Sequence, residues 1–173
     1  MKRFIGIIAL AVVVTFFGQS ASAQKFGHID NDQLIQALPE FDTARVQLEK
    51  FQKELVNALE LMSVEFNNKR DAYQKDAQNL SDIVKQNKEQ ELSDLQGRIQ
   101  EFQQNAQQQL QNKQAELFQP IVTKVDKAVK EVGKENGFIY IFDVSQSKAS
   151  LLYFDETKST NVTPLVKTKL GIK

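Results

Sequence analysis

An apolar spacing held for about 95 residues limits this chain more than any other feature. From Phe41 to about Glu135 the texture is helical, with Gly97 and Pro120 as the candidate breakers inside it. Leu48, Phe51, Leu55, Ala58, Met62, Phe66, Tyr73, Ala77, Leu80 and Val84 step by threes, fours and one seven. Leu92, Leu95, Ile99, Phe102, Ala106, Leu110, Leu117, Ile121, Val125, Ala128 and Val132 continue the pattern. So narrow a stripe, kept over many heptads, predicts a coiled coil rather than a helix lying on a globular core. Opposite charges elsewhere stand four apart, as in Glu49 with Lys53, Glu65 with Lys69, Asp71 with Lys75 and Asp94 with Arg98. The glutamine-rich stretch FQQNAQQQLQNKQAELFQP (102–120) carries the same seam. It therefore reads as a helix with amide-covered faces, not as a disordered tract.

A single helix of that length would extend ~140 Å. Two arms folded into an antiparallel hairpin return both ends to one place, and this is the favoured reading. The arm spans 41–117 and its turn falls within 79–90, best at Asn79-Leu80-Ser81-Asp82, where Ser81 can cap a new helix. The flanks are strand-like. KFGHID (25–30) reads as a strand, and Asn31–Leu38 as a short helical turn stopped by Pro39. Gly137 suits a left-handed C-cap before FIYIFDV (138–144), and SLLYFD (150–155) follows across QSKA (146–149) as the second strand of a hairpin. Thr163-Pro164 supplies an N-cap and a first-turn proline for a last helix ended by Gly171.

Residues 24–40 and 118–173 would then form one discontinuous β-rich body, too small to close a comfortable core alone. FIYIF is apolar on both faces, so self-association is expected through Phe26, Phe138, Tyr140, Phe142, Leu151 and Tyr153. The fold class is α+β, mostly α: a long coiled-coil hairpin projecting from a small β-body that mediates assembly.

Residues 1–23 read as a cleaved signal peptide. Lys2 and Arg3 precede the apolar run Phe4–Phe17, and Ala21-Ser22-Ala23 offers the small residues of a cleavage site. This places the mature chain in the periplasm, without stable membrane insertion. Without Lys2 and Arg3 the chain holds 20 basic and 22 acidic residues, a net charge of −2. Nucleic acid held by phosphate neutralisation is thereby disfavoured. There is no cysteine, hence no disulfide and no thiol nucleophile. His28 is the one histidine and reads as structural, since a metal site needs three or four convergent ligands. No G-x-x-x-x-G-K-[ST] loop occurs, and the carboxylates lie on charge-paired helix faces. No catalytic residue, metal or cofactor is expected, and the chain is not read as an enzyme.

The succession of apolar strand, short turn ending in ALPEF (37–41), heptad hairpin with a glutamine-rich return, ELFQPIVTKVDKAVKEVGKENGF (116–138), IYIFD and NVTPLVKTKLGI (161–172) resembles the Skp/OmpH family of periplasmic chaperones. The resemblance covers essentially the whole mature chain and implies a homotrimer. Its subunits would share a β-body, and three helical arms would enclose a cavity that holds unfolded outer-membrane proteins without ATP. Leu61, Met62, Phe66, Tyr73, Ile83 and Phe102 are the candidate client-binding residues, bulky or close to bulky positions on the arms. Gly97 is a candidate flex point and Pro120 a candidate kink. One departure matters: well-known members have basic arms, whereas 41–117 carries ten Lys/Arg against thirteen Asp/Glu. Lipopolysaccharide contacts through basic arms are therefore not carried over. The alternative function is a structural coiled-coil spacer or adaptor of the cell envelope, which would more naturally carry a binding module at an arm end.

Overall fold

The computed structural model describes residues 24–146 and 153–172. The proposed signal peptide lies outside them. In chain order the elements are strand β1 (Lys25–Ile29), helix α1 (Asn31–Gln36), helix α2 (Pro39–Asp76), a 3-10 turn (Ala77–Asn79), helix α3 (Asp82–Asn136), strands β2 (Phe138–Asp143) and β3 (Thr160–Asn161), and helix α4 (Thr163–Leu170).

Proline and glycine set several of these limits. Pro39 does more than stop α1. It pushes Leu38 into extended backbone (φ −80°, ψ 130°), which ends one helix, and it occupies the first turn of the next, where its missing N–H costs nothing. Asp30 caps α1 by accepting from the Gln33 N–H at 2.9 Å. Gly137 takes the left-handed conformation at the C-terminus of α3 (φ 70°), and Gly171 does the same for α4 (φ 74°). The last helix begins differently from the sequence expectation. Val162 is its N-cap residue, and the Asn161 side chain accepts from the Thr163 N–H at 2.9 Å.

α2, with 38 residues, and α3, with 55, are about 57 and 83 Å long at 1.5 Å per residue. Between them no glycine or proline makes the break. The 3-10 turn tightens the end of α2, Leu80 and Ser81 are extended, and the Ser81 carbonyl accepts from the N–H groups of Val84 and Lys85. The Ser81 side chain makes no capping bond. Positions on α3 fall as those on α2 rise. Glu40 meets Lys124, the Phe41 and Phe118 rings meet edge to face at 5.5 Å, Lys69 meets Glu91, and Tyr73 meets Glu89.

The sheet has strand order β2-β1-β3, and both pairings are parallel. Parallel neighbours need a long crossover, and here α1, α2 and α3 together supply it between β1 and β2. β2 pairs with β1; of the expected second hairpin strand, Tyr153 to Asp155 belong to no strand and residues 150–152 lie outside the described part. A register shift falls where Lys25 faces Phe138 but Phe26 faces Tyr140, so Ile139 is the extra residue of a bulge. The bulge decides which side chains turn inward. Phe138 and Ile141 pack against the core, while Tyr140 and Phe142 are exposed.

That core joins Ile29, Leu34, Leu38 and Ala44 to Ile121, Val125, Ala128 and Val132 of α3 and to Val162 and Val166. The apolar stripe of α3 thus changes partner along its length, from α2 to the sheet and short helices. Gly27 marks the tightest contact. A Cβ there would lie 3.0 Å from Val162 Cγ1 and 3.2 Å from both Ile141 and Phe138. Gly27→Ala is therefore expected to destabilise the protein by about 1–3 kcal/mol through overpacking, read as a lowered urea midpoint.

Candidate functional site

Two surfaces stand out, the flanks of the α2/α3 pair and the open face of the sheet. On the helices the sequence candidates separate. Met62, Phe66, Tyr73 and Phe102 are half-buried where α2 and α3 meet, whereas Leu61 is 71% and Ile83 68% exposed. The six do not form one patch. Val84, read as seam, is exposed as well, and Val46, Val56 and Val64 are also exposed and were missed by the seam pattern. Their signal was available: β-branched residues at helical positions off the seam, where lysine, glutamate or glutamine would form helix better.

Grooves follow the helical pair. The one nearest the core, about 480 Å³, is lined by Pro39, Ala44, Leu117, Pro120 and Ile121 and bordered by the Glu40–Lys124 ion pair. The hydrogen bond from Lys124 holds the Glu40 carboxyl below its usual range. A middle groove of about 260 Å³ includes Leu55, Val56, Leu59 and Phe102. A distal one of about 470 Å³ is lined chiefly by charged and amide side chains, among them Glu65, Lys69, Glu91 and Arg98. Within it Lys69 bonds Glu91, which lowers the Glu91 carboxyl and raises the Lys69 ammonium, and nearby Tyr73 donates to Glu89. Such exposed pairs fix register more than they add stability.

On the sheet, Phe26 and Tyr140 stack with centroids 6.3 Å apart and Tyr140 stacks on Phe142 at 5.9 Å. Tyr140 is 59% and Tyr153 80% exposed. Beside them His28 Nδ1 lies 2.9 Å from Ser159 Oγ, with the Phe154 ring at 4.8 Å. Phe138 is not on this face. It packs on the chain's own core, with the Lys25 ammonium 4.3 Å from its ring centroid. Leu151 lies outside the described residues. Where the strands end, burial raises the Asp143 carboxyl, but hydrogen bonds from Ser145 and Asn31 outweigh it and hold the group below its usual range.

Long paired helices are thus rooted in a small three-stranded sheet. A family model described as outer membrane protein (OmpH-like) matches residues 25–170. The chain belongs to the OmpH-like family. No curated protein matches it significantly. Among the described residues of this OmpH-like protein, no helix is long and apolar enough to cross a membrane. Helix α3 is continuous through both candidate breakers. Pro120 is exposed at the edge of the groove nearest the core, and Gly97 is exposed, with nothing beyond its chain neighbours and the helix's own backbone within 4 Å of where a Cβ would stand. Gly97→Ala is accordingly expected to stabilise α3 by about 1 kcal/mol, visible as a higher thermal midpoint. A flex role for Gly97 requires, in addition, that the variant narrow the spread of the helices in solution scattering.

Proposed function

We propose that this chain is an ATP-independent holdase of the periplasm that binds unfolded outer-membrane proteins and prevents their aggregation. The observation that carries the reading is the exposure of large apolar side chains, Leu61, Val64 and Ile83 among them, along helices that lead away from the core. A helix that only spaced two modules apart would gain by covering those positions with charge. The family match supports the same reading, and an export signal at residues 1–23 would deliver the chain to that compartment.

In this account residues 24–40 and 118–173 form the body and 41–117 an antiparallel coiled-coil arm. Three chains assemble through the open aromatic face of the sheet, the subunit number following the family resemblance, and their arms enclose a hollow. Each apolar contact is weak. Several on each of three arms raise the effective concentration of contact sites around one client, which retains it without a deep pocket. Release then requires only a better sink, not nucleotide hydrolysis. The arms carry a net charge of −3 over 41–117, so retention rests on apolar and hydrogen-bonding contacts rather than on attraction of anionic clients.

Dilution of a urea-unfolded β-barrel outer-membrane protein into buffer with the purified chain tests this. Aggregation should be suppressed at a ratio near one assembly per client. Undiminished light scattering at several-fold excess would contradict it, and recovery of one stoichiometric partner in place of diverse barrel precursors would favour an adaptor.

A further inference from the structure

Halfway along the helical pair, the groove of about 260 Å³ has a lining unlike its neighbours. Its floor is Leu55, Val56 and Leu59 of α2 with Phe102, Ala106 and Leu110 of α3. Its polar members are all amides, Gln52, Gln103 and Gln107. No charged side chain lines it, and α3 carries no charge from Phe102 to Asn112. The groove towards the core is bordered by the Glu40–Lys124 pair, and the distal groove is lined by five charged side chains, Glu65, Lys69, Glu91, Asp94 and Arg98.

The spacing of the floor is informative. Phe102, Ala106 and Leu110 follow at i, i+4, about 6 Å apart along the axis. Alternate side chains of an extended strand recur about every 6.6 Å. A strand laid along the groove therefore sets side chains of one face between successive floor residues for roughly two repeats. Its backbone N–H and C=O groups need partners, and the glutamine amides both donate and accept. A charged segment would lose hydration there without gaining an opposite charge.

We propose that this groove is a client site for an uncharged, extended segment with alternating apolar side chains, the chemistry of a transmembrane β-strand before it folds. The inference rests on the holdase reading and adds to it where, and by which groups, a client is held. Because no ion pair contributes, binding at this site is insensitive to salt.

Two matched triple variants test it. Val56→Glu with Gln103→Glu and Gln107→Glu puts three carboxylates on the groove at exposed positions. Asn57→Glu with Gln104→Glu and Gln111→Glu adds the same charge to exposed positions of the same helices outside the groove. The groove triple is expected to weaken binding of a urea-unfolded β-barrel outer-membrane protein, and of a synthetic ten-residue alternating strand peptide, by about tenfold or more. The matched triple should stay within about twofold of the parent. Equal losses in both triples, or none in the groove triple, would overturn the proposal. Failure of the parent chain to bind the unfolded barrel is a separate result, which removes the holdase reading itself. If the groove triple loses helical circular dichroism, a photo-cross-linker at Gln103 rather than Gln104 decides. Capture of client from 103 alone supports the site, and equal capture from both overturns it.

Discussion

Replacing Val125 by Asp is expected to cost about 3–5 kcal/mol, much of the 5–15 kcal/mol that holds a typical domain folded. Val125 is 1% exposed, on the stretch of α3 packed among α1, α4 and the sheet. None of its core neighbours is basic, so the new carboxylate would stand uncompensated in apolar surroundings. Val46→Asp makes the same chemical change on a long helix at a position 56% exposed. It should stay within about 0.5 kcal/mol of the parent. Urea midpoints of the two variants separate burial from helix propensity, since propensity alone would move both alike. Similar midpoints would mean that the core does not lie where the stripe of α3 meets the sheet.

The second large effect concerns assembly. Tyr140→Glu with Phe142→Glu should weaken self-association by about a hundredfold or more, since buried aromatic anchors commonly contribute 2 kcal/mol or more each. Both side chains lie on the open face and form a stack with Phe26, so the isolated subunit loses little by their removal. The fold should survive, with helical circular dichroism unchanged, while sedimentation at working dilution shows single chains. An unaltered mass would put the interface elsewhere, for instance on the flanks of the paired helices.

The long-range organisation was legible only where local chemistry repeats. The seam from Leu48 to Val132 gave the two helices because each three- or four-residue step adds the same small bias many times over. Gly137 and Gly171 marked helix ends because a left-handed cap excludes most other residues. The sheet was a different matter. FIYIFD announces a strand, but nothing local says that a partner lies more than a hundred residues back, and the parallel pairing with Lys25–Ile29 was not read from the sequence. Thr160–Asn161 pairs through backbone over two residues, too few to leave an alternating pattern. The bulge at Ile139 is likewise invisible in sequence, and it turns Phe138 from the open face to the core.

On the helices the limit was one of azimuth. Spacing distinguishes seam from non-seam, but the bulky residues chosen as candidates were mostly seam, and exposure fell on valines that break no rule of spacing. The middle groove combines residues from both helices, so its uncharged lining becomes visible only once Val56 and Phe102 are known to be neighbours.

The claim that these helices shelter an unfolded chain is tested most directly by weighing the complex. Sedimentation of the chain without residues 1–23, alone and after mixing with a urea-unfolded β-barrel outer-membrane protein, should give three chains in the first case. In the second it should give three chains plus one client. Sedimentation of the client as free aggregate, with the mass of the chaperone assembly unchanged, would contradict the account.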